Sequence, residues 1–152
     1  MKTLLLLILT VILYPKDFGF SAEAAEDIVF IVNADNPVTQ ITHNEVRDYY
    51  FKRKRVWPNS ESVRFIDRNV DNQARRHFVK NILKKSNSEV EQFWIGQKLY
   101  TGDSAPLRET SDAGTIKFCS SFKGSIGYIS AQAAETLTNT TVKIIKLEKV
   151  GD

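Results

Sequence analysis

The stretch that decides the reading of this chain is NPVTQITHNEVRDYYFKRKRVWPNSESVRFIDRNVDNQARRHF, residues 36–78. It opens on a break, Asn36-Pro37, because proline fixes φ and has no N–H to give a sheet. Thr42-His43-Asn44-Glu45 is a capping box, with Ile41 and Val46 placed as its hydrophobic staple. It predicts a helix to about Phe51 whose apolar side is offered by Val46, Tyr49 and Tyr50. Trp57-Pro58-Asn59 makes a turn, and Ser62 to Ile66 predicts a strand just ahead of Asp67-Arg68. Asp71 or Asn72 can cap the next helix, expected to run to about Lys84. On that helix Ala74, Phe78 and Ile82 share one face, joined by Val79 and Leu83, while Arg75, Arg76 and Lys80 lie away from it. A strand that delivers an arginine to the start of a helix is a physical recipe for holding an anion. The guanidinium and the unpaired amides of the helix start carry charge of the same sign in the same place.

Working outward, Asp27 to Asn33 (DIVFIVN) is a short β-branched apolar run and predicts a buried strand. Downstream, Ser88-Glu89-Val90-Glu91 reads as a second capping box opening a helix through Phe93, Trp94 and Leu99. Gly102 to Arg108, with Pro106, reads as a loop. Ser111-Asp112 starts another helix with Ile116, Phe118, Cys119 and Phe122 as buried candidates, and Lys123-Gly124 stops it. Ile126 to Ile129 is a short strand, Ala131 to Leu137 a helical turn or two, and Val142 to Leu147 a closing strand. Strands and helices interleave throughout, so the expected class is α/β, a small central sheet flanked by helices.

The chain has 152 residues, and its first 24 read as an export signal. Lys2 supplies the positive start, Leu4 to Leu13 an apolar run, and Ala22-Glu23-Ala24 a small-x-small cleavage site. The run is about ten residues, against the ~20 needed to cross a bilayer as a helix. Residues 25–152 are then expected to form one domain, in the periplasm of a double-membraned bacterium or, in a thin-walled one, in the medium. The one cysteine, Cys119, allows no disulfide within a chain and reads as a small core residue rather than a nucleophile. Lysine plus arginine number 21 against 18 acidic residues, too slight an excess for a nucleic-acid binder. The run Lys52-Arg53-Lys54-Arg55 is a solvated turn, or alternatively a surface for an acidic partner or anionic lipid.

Beyond these readings, a set of motifs resembles a known family. Asn36-Pro37-Val38 with Ile41-Thr42 and Glu45, then Phe51-Lys52, Trp57-Pro58, Val63 to Arg68 and Phe78, resembles phosphate ABC transporter substrate-binding proteins. Phe93-Trp94, Tyr100-Thr101-Gly102, Pro106 and Gly124-Ser125-Ile126-Gly127-Tyr128 follow in the order shown by that family, and more closely by its short, single-lobe exported members. The resemblance implies one lobe of a type II periplasmic-binding-protein fold with a mixed sheet. It also implies a non-catalytic solute-binding role, with inorganic phosphate or a related oxyanion as ligand and an ABC transporter permease as partner. In the family an arginine and a Ser-Gly-Thr turn hold the oxyanion. The arginine corresponds to Arg68, and the turn falls at Asn72-Gln73-Ala74, without the hydroxyls and the glycine. With Arg75 at a helix start and Ser125 beside two glycines, the candidate ligand set is Arg68, Asn69, Asn72, Gln73, Arg75 and Ser125. One lobe makes half a cleft, which two chains could rebuild as a homodimer.

Each of these residues also has a plainer reading. Arg68 could pair with Asp67 or Asp71, Arg75 and Arg76 could be a solvated face, and the Gly124–Tyr128 segment could be only a helix stop and strand entry. His43 and His77 stand at no metal-ligand spacing, and no nucleophile elbow, carboxylate pair or P-loop is present, so no metal, cofactor or enzyme activity is expected. The alternative to solute binding is an accessory or interaction module of the periplasm that kept the fold and lost ligand capture.

Overall fold

The structure, a computed structural model, describes residues 27–138 and 140–148. The expected export signal lies outside the described residues. Twelve segments follow one another: β1 (Ile28–Asn33), β2 (Gln40–Thr42), α1 (His43–Tyr50), β3 (Arg64–Arg68), α2 (Gln73–His77) running on into a π-helical turn (Phe78–Ile82), α3 (Asn87–Tyr100), β4 (Leu107–Glu109), α4 (Asp112–Ser121), β5 (Ser125–Ser130), α5 (Ala131–Glu135) and β6 (Val142–Glu148). The strands make one six-stranded sheet in the order β2-β6-β1-β5-β3-β4. β1 runs antiparallel to both its neighbours, whereas β2 is parallel to β6 and β3 is parallel to β5 and β4. The expected α/β class with a mixed sheet and flanking helices is the observed one.

The alternation of strand side chains divides the core in two. Phe30 and Val32 of β1, Phe65 of β3 and Ile126 and Tyr128 of β5 join Tyr50, Trp57, Phe78 and Trp94 on one face. Ile31, Ile66 and Ile129 point the other way, onto Cys119 of α4 and the α5 segment. Burial pushes the Cys119 thiol up to about 12, as suits an apolar packing role. Aromatic rings dominate the first cluster: Phe78 stacks on Tyr128 with centroids 4.5 Å apart, and Tyr50 meets Phe65 edge-on at 5.2 Å.

Several elements form as their sequence dictates. Thr42 Oγ1 accepts from the Glu45 amide while Glu45 Oε2 accepts from the Thr42 amide, the reciprocal capping box. Ile41 and Val46 are both buried beside it. Of the two candidate caps for α2, Asn72 is the one used, its Oδ1 accepting from the Arg75 amide. The basic run is answered locally: Arg53 by Asp48, Lys54 by Glu45, and Lys52 and Arg55 both by Asp103.

Other expectations are corrected. β3 lies two residues later than predicted, because Ser62 bridges Val56 and the Val63 amide bonds Arg55, which leaves the ladder to Arg64–Arg68. The loop predicted over 102–108 ends in β4, a three-residue edge strand held by β3 rather than by any apolar pattern of its own. The capping box of α3 is Ser86 with Glu89, two residues ahead of the predicted pair. That start leaves Glu91 available to bind two arginines, Arg75 and Arg108. The helix expected to continue to Lys84 widens into the π-helical turn after five residues. Phe122 is 38% exposed rather than buried.

Gly124 is required by close approach. A Cβ there would lie 1.9 Å from the Ser62 carbonyl oxygen, while the Gly124 carbonyl accepts from Trp57 Nε1 at 3.0 Å. Gly124→Ala is therefore expected to lower the unfolding free energy by about 1–3 kcal/mol, because backbone must move to make room. Urea denaturation followed by tryptophan fluorescence measures it.

Candidate functional site

Because β1 alone runs against the others, the carboxyl ends of β2, β3, β4, β5 and β6 all lie along one edge of the sheet. In α/β sheets that edge is where ligands are met. Four helices start there, with side-chain caps from Thr42, Asn72, Ser111 and Ser130. Arg68, the last residue of β3, stands among them.

Successive residues of β3 serve opposite faces. Asp67 turns toward the aromatic cluster and is 1% exposed. It accepts four hydrogen bonds: from the Tyr50 hydroxyl at 2.8 Å, the Tyr128 hydroxyl at 2.5 Å, Arg75 Nε at 3.1 Å and the Arg68 amide at 2.8 Å. Burial, and then the neighbouring carboxylate, hold both phenols protonated by raising them well above the ordinary tyrosine range. Arg75 goes on to donate to Asn87 Oδ1 at 2.6 Å and to Glu91 at 3.1 Å. Its side chain is fully buried, so the expectation of an outward-facing Arg75 is corrected: three acceptors on β3 and α3 draw it inward. Burial opposes its charge, but Asp67 together with the Tyr50 and Tyr128 oxygens more than restores it.

Arg68 turns the other way, with its side chain 4% exposed. Its Nη1 donates to Asp112 Oδ1 at 2.5 Å, and its Nη2 reaches the Thr110 carbonyl at 3.5 Å. Its Nε is buried and has no hydrogen-bond partner among the described residues. Asp112, at the start of α4, also accepts from the Ser130 amide at 3.2 Å and the Ser130 hydroxyl at 2.7 Å. Ser130 Oγ in turn accepts from the Ala133 amide and so caps α5. Partial burial works against ionisation of Asp112, yet the guanidinium and the two Ser130 donors hold its carboxyl below the usual range. Arg68, Asp112 and Ser130 thus tie together the ends of β3 and β5 and the start of α4.

The structure brings some of the predicted residues together and separates others. Asn69 and Asn72 sit beside Arg68 in the β3–α2 turn, closed by the Asn72 amide on the Asn69 carbonyl at 3.0 Å, and Gln73 is the first residue of α2. Arg75 is in the core. Ser125 lies at the opposite edge, paired in register with Arg64, and its hydroxyl donates to the Cys119 carbonyl at 3.0 Å. Asp112 and Ser130 were not among the predicted site residues. Their caps were visible as Ser111-Asp112 and as Ser130 ahead of Ala131, but only the strand order brings them to Arg68. Chemically, the arrangement offers one buried guanidinium already neutralised by one carboxylate, with a donor still unfilled. Among the described residues no group of three or more potential metal ligands occurs.

Two stability tests follow from these networks. Asp67→Ala leaves Arg75 buried with only the partly exposed Glu91 as counter-charge and is expected to cost about 3–5 kcal/mol, against about 1–2 kcal/mol for Tyr128→Phe, which removes one hydrogen bond. Asp112 is depressed in the folded state, so its contribution is complete above the unfolded carboxyl value near ~4 and is lost as pH falls through the folded one. Urea midpoints measured from pH about 5 down to about 2.5 should fall with acid, and less steeply in Asp112→Asn.

No family model and no curated protein matches the chain. Solved structures do. A crystal structure of an ABC-type phosphate transport receptor from Vibrio cholerae superposes with a TM-score of 0.61 at 15% identity, over 80% of this chain and 46% of the receptor. PstS from Borrelia burgdorferi gives 0.63 at 18% identity, over 81% of this chain and 47% of its own. At such identities the likeness is one of fold: for four-fifths of its length, this chain is built like just under half of each of these two proteins.

Proposed function

We propose that this chain is a non-catalytic, exported binding domain that takes inorganic phosphate or a related oxyanion at the carboxyl edge of its sheet, in the service of an ABC-type uptake system. One observation carries the reading: Arg68 Nε is buried with no hydrogen-bond partner among the described residues. Asn36, His77 and Trp94 also have a buried nitrogen without a hydrogen-bond partner among the described residues, but of these four side chains only Arg68 stands at the ligand-meeting edge. A buried donor left open is a place for an acceptor outside the chain, an ion or an ordered water. Asn69, Asn72 and Gln73 line the same turn and supply amide donors. The phosphate transport receptor that shares the fold favours phosphate as the acceptor. Asp112 tempers the affinity, since it already holds Arg68. It also favours an oxyanion that retains a proton to donate, as phosphate does near neutral pH and sulfate does not. The open half-cleft would be completed by the permease or by a second copy of the chain.

A second reading is favoured by the same pair seen from the other side. Arg68 and Arg75 both hold internal carboxylates, as expected of an accessory module that kept the fold and lost ligand capture. Calorimetric titration of the mature chain separates the two. A few charge-assisted bonds of about 1.5–3 kcal/mol each, partly offset by Asp112, give an expected phosphate Kd of about 0.1–1 mM. Arg68→Gln should abolish the heat with the fold intact by circular dichroism, and Asp112→Asn should tighten binding roughly tenfold. Absence of heat from both the wild-type chain and Asp112→Asn would leave the accessory reading.

A further inference from the structure

A cavity of about 560 Å³ lies at the opposite edge of the sheet from Arg68. It opens where β3 begins, between the α1–β3 loop, the approach to β4 and the end of α4, and its lining includes Arg64, Phe65, Phe118 and Phe122. Phe118 and Phe122 pack with centroids 4.9 Å apart, and the Arg64 guanidinium lies 4.7 Å from the Phe122 centroid. Lys52, Lys54 and Arg55 form the rim. These three cations share only two carboxylates, Asp103 and Glu45, and Arg64 has no ion pair among the described residues. Among the described residues, nothing covers this aromatic floor and its rim of surplus positive charge. At its lip Leu107, 69% exposed, begins β4, the last strand of the sheet.

We propose that this cleft is a docking site for an extended acidic segment of a partner protein, anchored by one apolar or aromatic side chain. Charge complementarity selects the segment's sign: Asp or Glu residues meet Arg64 and the rim, where like charge would be repelled. The aromatic floor selects the anchor, since a buried aromatic or aliphatic group in a pocket with charged surroundings is the usual centre of a protein interface. The lining runs on to Ala105, Pro106 and Leu107 at the end strand β4, and about 560 Å³ is far more room than a small ion needs. The site is independent of the oxyanion reading. β3 is five residues long, so its two ends are about 13 Å apart, and each can be altered without the other.

The test is selection from a display library of random seven-residue peptides on the mature chain, followed by fluorescence anisotropy of the selected peptides. Enrichment of sequences with two or more acidic residues around a Phe, Leu or Trp is expected. Their Kd should rise at least about tenfold in Arg64→Glu and in Phe122→Ala, and with about 0.5 M salt. Both substituted side chains lie at the cleft surface, and circular dichroism verifies the fold. Arg68→Gln should leave peptide binding unchanged, which keeps failure of this site distinct from failure of phosphate binding. Four results would overturn the proposal: no enriched peptide, enrichment of basic or uncharged ones, binding insensitive to Arg64→Glu, or binding displaced equally well by vesicles containing about 30% phosphatidylserine.

Discussion

A single buried carboxylate organises this molecule. Asp67 is taken out of water at the end of β3, a step that costs several kcal/mol unless every lone pair is answered. Here the answers come from four directions: the Tyr50 hydroxyl on α1, the Tyr128 hydroxyl on β5, Arg75 on α2 and the backbone of Arg68 itself. Arg75 carries the connection onward to Asn87 and Glu91 of α3, and Glu91 holds Arg108 of β4 at 2.5 Å. The aromatic face of the sheet is consequently fixed by polar bonds inside it as well as by packing. Tyr50 and Tyr128 must present their hydroxyls to one point, which sets their rings against Phe65 and Phe78.

The adjacent residue shows how one strand can serve structure and site at once. Asp67 and Arg68 face opposite sides because successive strand residues do. The first closes the core, and the second meets α4 and the end of β5. What Arg68 meets is a carboxylate that is itself held by Ser130, so the candidate site has its own counter-charge built in. A cationic centre of this kind is moderated in advance. It suits reversible capture better than tight retention, and it would do so whether the captured group were an ion or a side chain of another protein.

Much of the fold was legible from local chemistry. β1, the capping box at Thr42, a cap at Asp71 or Asn72, the stop at Gly124 and the two final strands follow from side-chain type and spacing alone. The failures share a cause, since each depends on a partner distant in sequence. β4 has no apolar alternation and exists because β3 lends it hydrogen bonds. Ser86 and Ser88 both begin a Ser-x-x-Glu motif, and the choice between them is made by Arg75 and Arg108 recruiting Glu91. Arg75 itself looks like a surface residue until Asp67 is known to be buried beneath it. At the site, Arg68 was identifiable by its place at a strand end, but its separation from Ser125 and its union with Asp112 follow from strand order, which no local pattern encodes.

That strand order bears on when the molecule can take shape. β1 comes first in the sequence yet occupies the middle of the sheet, where Phe30 lies between Tyr128 and Ile145. Among the described strands no hairpin joins neighbours in sequence, and closing the centre of the sheet requires everything from β1 to β6 to be present. Assembly dominated by such remote pairings is slow, because the entropy of loop closure is spent before the contacts reward it. A thread of this design stays open until its last third has arrived, which is the state in which a polypeptide can be passed through a narrow channel end first.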